Sequence, residues 1–147
     1  MRIMALDVGE KTIGVAFSDE TLAIALPGET VWRQEGHRRD MAVLRVLVGA
    51  KQVSEIVVGL PLMMDGSHGV QAEKVEAFVK LLRNSVRIPI SLQDERLSTV
   101  QAERVLIAAD RKRSERKKTV DSMAACLILQ SFLDRRRSEC DAAEEAP

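Results

Sequence analysis

Aromatic side chains make up only 3% of this 147-residue chain, with three Phe, one Trp and no Tyr. Trp32 lies in an extended segment and not in a basic platform, so base stacking is not expected to dominate recognition of any ligand. Histidine is almost as scarce. His37 and His68 are the only two and fall in unrelated segments, and Ser67 and His68 show no acid at a readable spacing, which argues against a nucleophilic triad. The two cysteines, Cys126 and Cys140, are far apart and have neither CxxC nor Cys/His spacing, which points to a reducing compartment and away from structural zinc. No apolar run approaches a membrane span, and a strand pattern starts after two residues with no charged leader before it. A soluble, cytoplasmic protein with no membrane partner is the expectation.

What is present is aliphatic. Hydrophobic residues account for 46% of the chain, chiefly Val, Leu, Ile and Ala, the usual filling of a sheet covered by helices. The length suits one domain with a sizeable core, placed here at residues 1–137, with residues 138–147 as an acidic, disordered tail. Lys plus Arg and Asp plus Glu balance at 22 each, but the segment Arg111 to Lys118 is almost entirely basic while the tail is acidic. A polyanionic partner is therefore compatible with the neutral total.

The stretch Met4 to Ser18 (MALDVGEKTIGVAFS) reads as a β-hairpin in which a glycine-bounded turn separates two apolar runs. Alternation puts Ile3, Ala5 and Asp7 on one face and Met4, Leu6 and Val8 on the other. Asp7 thus interrupts an otherwise apolar face, either as a turn former capping local amides or as a carboxylate with a bound partner. A third extended segment, Ala23 to Trp32, is broken by Pro27-Gly28. A helix follows from His37 to Lys51, with Met41, Leu44, Leu47 and Val48 as its stripe. Ser54 to Leu60 is a buried strand. The Gly-containing loop Pro61 to Gly69 leads into a helix striped by Val75, Phe78, Val79 and Leu82, and Ile88 to Leu92 is the next strand. Ser98 and Gln101 form a capping box for a helix with inner face Ala102, Val105, Leu106 and Ala109, and the last helix runs from about Thr119 to Arg136. The order βββαβαβαα, three antiparallel strands followed by parallel ones with crossover helices, is that of a ribonuclease H-like α/β fold with a five-stranded mixed sheet.

Asp7, the Asp94-Glu95 pair and Asp121 each fall at the end of a strand or the start of a helix, where an α/β sheet gathers its ligand-binding loops. Asp121 begins the apolar stripe continued by Ala124, Ala125, Ile128 and Phe132, although a helix dipole alone also accounts for an acid in a first turn. Converging carboxylates are tolerated when a cation neutralises them, and an all-oxygen set selects Mg²⁺ or Mn²⁺, as in two-metal phosphodiester hydrolysis. Ordinary surface salt bridges are the alternative. Strand alternation sends Asp94 and Glu95 to opposite faces; the longer Glu95 is the expected ligand, with Asp94 supporting it. Near such a site Arg111, Lys112, Arg113, Lys117 and Lys118, together with Lys11 and Arg96, are candidates to neutralise nucleic-acid phosphates, against the plainer reading of solvated charge.

The motifs ALDVGEKTIGVAFSD, IVVGLPLMMDGS, QAEKVEAF, DERLST and KKTVDSMAACLILQSFLD, in that order between Ile3 and about Leu133, resemble those of the YqgF/RuvX family of pre-16S ribosomal RNA nucleases, relatives of Holliday junction resolvases. The resemblance implies a ribonuclease H-like fold, a divalent-metal nuclease maturing the 5′ end of 16S rRNA, and Asp7, an acid of Asp94-Glu95-Arg96, and Asp121 as the metal-binding set. It also leaves open a resolvase or single-strand nuclease acting on branched or single-stranded DNA, as a monomer or a homodimer, and a non-catalytic ribosome-assembly factor. Met63, His68 and Val70 depart from the family pattern, where Asn, an acid and Pro are common. In resolvase relatives the second acid sits at the end of the strand matching Ser54 to Leu60, which is apolar and glycine-containing here, so Glu95 would replace it from a neighbouring strand. The D-x-G hairpin also resembles the phosphate-binding hairpin of the actin and sugar-kinase superfamily, but those proteins close a second domain over ATP and 147 residues are too few.

Overall fold

The structure is a computed structural model and describes residues 1–63, 65–94 and 113–145, with side chains of the last segment described over 123–141. Strands β1 (Arg2–Val8), β2 (Thr12–Ser18) and β3 (Ala25–Trp32) come first. Helix α1 (Arg38–Ala50), strand β4 (Val53–Leu60), helix α2 (Val70–Ser85), strand β5 (Ile90–Asp94) and helix α3 (Arg113–Glu145) follow. The sheet order is β3-β2-β1-β4-β5, antiparallel among the first three strands and parallel from β1 through β4 to β5. This is the expected mixed sheet. The capping box and the helix expected after it lie outside the described residues.

Because β1 is central, both of its faces need cover. Met4 and Leu6 join Ile13, Val15, Ile56 and Val58 under α1 and α2, whose Leu44, Val75, Phe78 and Leu82 close that layer. Ile3 and Ala5 join Ala16 and Val57 under α3, which contributes Ala125, Ile128, Leu129 and Phe132. Small residues on both sides of this second layer allow α3 to lie close to the sheet, and Ala124 and Ala125 are fully buried there. Cys126 is buried in the same layer, where loss of hydration pushes its thiol up to about 11.

Four boundaries differ from the sequence expectation, each for a local reason. Strand β5 begins at Ile90 rather than Ile88 because Pro89 has no N–H for the ladder, while its carbonyl accepts from Ile56 N at 3.0 Å. Pro27-Gly28 bends β3 without ending it: Gly14 pairs with Thr30 and Ala16 with Pro27, so Gly28 and Glu29 together oppose Val15 in a β-bulge on an edge strand. Helix α3 already includes Arg113, the first described residue of this segment and well before Thr119, since Arg, Lys and Glu are good helix formers and nothing in RSERKK breaks a helix. It also continues to Glu145, through the alanine- and glutamate-rich residues expected to form a disordered tail after Arg137.

One set of polar contacts fastens α3 to the sheet and another closes the β2–β3 turn. The Arg136 guanidinium forks onto Glu55 of β4 at 2.7 and 2.9 Å and stacks 4.4 Å from the Phe132 ring centroid. It is therefore a pinned residue and not the solvated helix-end charge that its RRR context suggests. In the β2–β3 turn Asp19 accepts from the Thr21 hydroxyl and from the backbone N–H groups of Ala23 and Ile24, which holds its carboxyl down to about 2.

A methyl group at the bulge meets backbone. A Cβ on Gly28 would lie 2.8 Å from the Val15 carbonyl oxygen and 2.9 Å from the Phe17 ring, whereas one on Gly49, near the end of α1, meets nothing within 4 Å. Gly28→Ala should destabilise the protein by about 1–3 kcal/mol, and Gly49→Ala should stabilise it by about 0.5–1 kcal/mol. Urea unfolding of the two variants checks this: equal midpoints would show that the bulge relaxes freely.

Candidate active site

The odd-numbered face of β1 ends at Asp7. Ile3 and Ala5 lie beneath α3, so Asp7 emerges on that face at the carboxyl end of the central strand, half-buried. Its cross-strand partner on β2 is Gly14. On the other side the parallel register pairs Leu6 with Val58, and one further step sets Asp7 beside Gly59. The carboxylate is therefore flanked on both sides by residues without side chains. A Cβ at either glycine would project onto the same face and narrow the space around it.

The next strand adds a polar atom to this row. Gly59 pairs with Gln93 of β5. Ser91, two residues earlier, bonds Glu55 and through it reaches Arg136 of α3, so Ser91 and Gln93 share the α3 face with Asp7. Gln93 is nine-tenths buried, and among the described residues its Oε1 has no hydrogen-bond partner. Amide oxygens are rarely left so, because an unpaired buried acceptor costs about 1–3 kcal/mol. Sequence reading passed over Gln93 as the neutral residue before two acids; the alternation that identifies its face was already legible.

Asp94 is exposed and, by the same alternation, takes the opposite face from Gln93. The structure thus does not bring Asp94 together with Asp7 on the α3 face. Glu95, Arg96, Arg111 and Lys112 lie outside the described residues. Asp121, Arg113, Lys117 and Lys118 fall within α3, with Asp121 one turn before Ala124 and Ala125, and their side chains are not described. Among the described residues no three His, Cys, Asp or Glu side chains gather. Of the acids proposed from sequence, Asp7 is the one with a described position on this face.

The turn after Asp7 is held from outside. Gly9 donates its N–H to the Thr12 carbonyl at 2.9 Å, and a Cβ on Gly9 would stand 3.0 Å from that oxygen, so a larger residue there would push the tip open by a few tenths of an ångström. Arg33 donates to the Gly9 carbonyl at 2.7 Å through Nη1 and to Asp40 at 3.1 Å through Nε, with its guanidinium 5.3 Å from the Phe78 ring centroid. Asp40, in the first turn of α1, is 1% exposed and also accepts from Gln34 N. At the tip itself Lys74 of α2 bonds Glu10 at 3.0 Å and holds that carboxyl below its ordinary value. Lys11 is exposed, and an open groove of about 600 Å³ runs between the hairpin tip, the Trp32–His37 segment and Lys74. Elsewhere His68 bonds Glu76 at 2.6 Å, a partner eight residues away.

Two measurements test this framework. Asp40→Asn strands the mostly buried Arg33 charge and should cost about 3 kcal/mol, read by urea unfolding; a cost under about 0.5 kcal/mol would show that Arg33 finds water instead. Gln93→Met removes an unpaired buried acceptor at nearly constant volume. It should leave the metal-free protein as stable as wild type or about 1 kcal/mol more so, and a lower thermal midpoint would contradict the assignment.

The comparisons with known proteins agree with this architecture. The family model described as "RuvX: Holliday junction resolvase" matches residues 1–135. A protein of Moorella thermoacetica named "Putative pre-16S rRNA nuclease" is 50% identical over 135 residues, covering 92% of this chain and 96% of its own length. One of the same name from Desulforamulus reducens is 48% identical over 134 residues, covering 91% and 97%. Among solved structures, RuvC of Thermus thermophilus in complex with a Holliday junction substrate superposes with a TM-score of 0.57 at 17% identity, covering 92% of this chain and 96% of that one, a likeness of fold. With a family model matching nearly the whole sequence and relatives about half identical over the same span, the chain belongs to the RuvX family.

Proposed function

We propose that this protein is a divalent-metal-dependent nuclease that hydrolyses phosphodiester bonds, acting in the cytoplasm on the 5′ end of pre-16S rRNA. The observation that carries the reading is the row Asp7, Gly59, Gln93: a carboxylate at the end of a central strand, a neighbour without a side chain, and a buried amide oxygen on the same face. The names of the relatives supply the reaction and the substrate.

The donor set fits a hard cation. Asp7 and the Gln93 amide offer oxygen as the donor atom, which suits Mg²⁺ or Mn²⁺ better than zinc. We take Asp7, Glu95 and Asp121 as the residues that hold the metal. Strand alternation, if carried one residue past Asp94, would give Glu95 the face of Gln93 and Asp7, with Asp94 acting from the opposite face as support. When bound, the metal activates water and stabilises the leaving oxygen. The protein's own part is positional. Asp7 is fixed by the β1 ladder, its turn is clamped by Arg33, and the residues on either side of it carry no side chain. Lys11, Arg96, Arg111, Lys112, Arg113, Lys117 and Lys118 would draw the nucleic-acid backbone toward that point through phosphate neutralisation. The active unit is a monomer or a homodimer.

Labelled precursor rRNA, single-stranded oligonucleotides and a four-way junction, each incubated with and without Mn²⁺, test the reading. Cleavage should vanish on chelation and return with Mg²⁺ or Mn²⁺. Asp7→Asn should abolish it, Glu95→Gln should do nearly the same, and Asp94→Asn should lower it by roughly tenfold. A dead Asp94→Asn beside an active Glu95→Gln reverses the ligand assignment. Selective cutting of the junction favours a resolvase, and binding without cutting leaves an assembly factor.

A further inference from the structure

The only tryptophan in the chain is 58% exposed at the end of β3. A large indole in water is unremarkable on a surface by itself. Its position is what matters. Val31 is buried in the layer under α1 and α2, so alternation turns Trp32 to the opposite face, the one that carries Asp7. The registers agree: Trp32 pairs with Thr12, Gly14 with Thr30, and Gly14 with Asp7. Trp32 thus lies two strands across and two residues further along than Asp7, a separation of about 12 Å from ordinary strand spacing and rise.

The surroundings narrow the occupant. Trp32 lines the groove beside the hairpin tip with Lys11, Lys74 and His37, while Arg38 and Arg39 are exposed in the first turn of α1 immediately beyond. Glu10 in the same groove is neutralised by Lys74, and Glu35 remains as an opposing charge. A docked protein would need an apolar patch around the ring, and a stable interface buries about 1,600 Å² in total; here the neighbours are polar and charged. Trp32 is on the face of the acid at which a phosphodiester would be cut, while Lys11 at the hairpin tip and Arg38 and Arg39 on the α1 side border it; an aromatic ring edged by cations suits a nucleotide whose base stacks and whose phosphates are met by lysine and arginine.

We propose that Trp32 is a stacking platform for an unpaired base of a single-stranded nucleic acid, a few nucleotides from the bond positioned at Asp7, with Lys11 meeting the intervening backbone. The proposal rests on the nuclease reading and specifies the substrate as single-stranded over this groove. Stacking recognises the π-face that all bases share, so the subsite tolerates sequence and accepts RNA and DNA alike. A duplex keeps its bases paired and offers no free face, which excludes it from the platform.

Because the chain has one Trp and no Tyr, intrinsic fluorescence reports this position alone. The test titrates full-length protein, in chelator and at low salt, with a dye-labelled oligoribonucleotide, its deoxy counterpart and the corresponding duplex, reading anisotropy and Trp emission together. Both single strands should quench the emission with the same midpoint as the anisotropy, and the duplex should not. Trp32→Ala should weaken single-strand binding by about 5- to 100-fold, the usual effect of losing one stacked base, and Trp32→Phe should restore most of it. Thermal melts of both variants establish that they are folded. Anisotropy showing binding while emission is unchanged, equal quenching by the duplex, or wild-type affinity in Trp32→Ala overturns the platform and leaves nucleic-acid binding standing. No anisotropy change with any strand overturns both.

Discussion

Two-sided burial of β1 is the constraint on which the other elements depend. A strand whose odd and even residues are both apolar cannot lie at an edge or face water, so it needs a neighbour on each side and a helical layer above and below. The β2 hairpin supplies one neighbour through a short turn. The other, β4, is parallel and needs a crossover, which α1 provides across the Met4 and Leu6 face. The Ile3 and Ala5 face then falls to α3 at the far end of the chain. Once those layers are set, the polar end of β1 can emerge at only one place, and Asp7 occupies it.

Polar groups keep that end from collapsing inward. The Arg33–Asp40 pair and the Arg33 bond to Gly9 are deep in the α1 layer and tie the turn to a helix terminus whose dipole favours the Asp40 carboxylate. On the opposite layer Glu55 and Arg136 tie α3 to β4. Each face of the sheet is thus tied by an ion pair, the Arg33–Asp40 one mostly buried and the Arg136–Glu55 one half-exposed on its arginine, and β1 cannot shift register without moving a whole set of side chains to the wrong face. A site that must hold an acid within fractions of an ångström gains from such double anchoring.

The features legible in the sequence are those that obey a local period. The stripes Met41, Leu44, Leu47 and Val75, Phe78, Val79, Leu82 could be read because helical spacing expresses burial directly. The faces of β1 were visible for the same reason. Contacts between distant segments leave no such mark: Glu55 and Arg136 are 81 residues apart, and an RRR run at a helix end looks like solvated charge whether or not its middle residue is pinned. Arg33 with Asp40 was missed because the partners straddle a loop and a helix cap. The extent of α3 is hidden by composition, since a block of like charge suggests solvated surface and an acidic block suggests disorder, while Lys, Arg, Glu and Ala all favour helix.

Gly59 illustrates how a departure from a family pattern becomes interpretable in three dimensions. In sequence the end of β4 simply lacks an acid. In the sheet that position lies between Asp7 and Gln93, so a residue without a side chain on β4 has an oxygen-bearing side chain on each neighbouring strand. Moving a donor from β4 to β5 lengthens the distance it must span by one strand spacing, about 4.8 Å, which a longer side chain or a buried amide can cover. The cost appears elsewhere: Gln93 must be buried with its oxygen unpaired by the described residues, a state that stability alone would disfavour. An acceptor left unpaired by the described residues, beside Gly59 and in line with a strand-end carboxylate, is therefore the feature on which the proposed metal site rests.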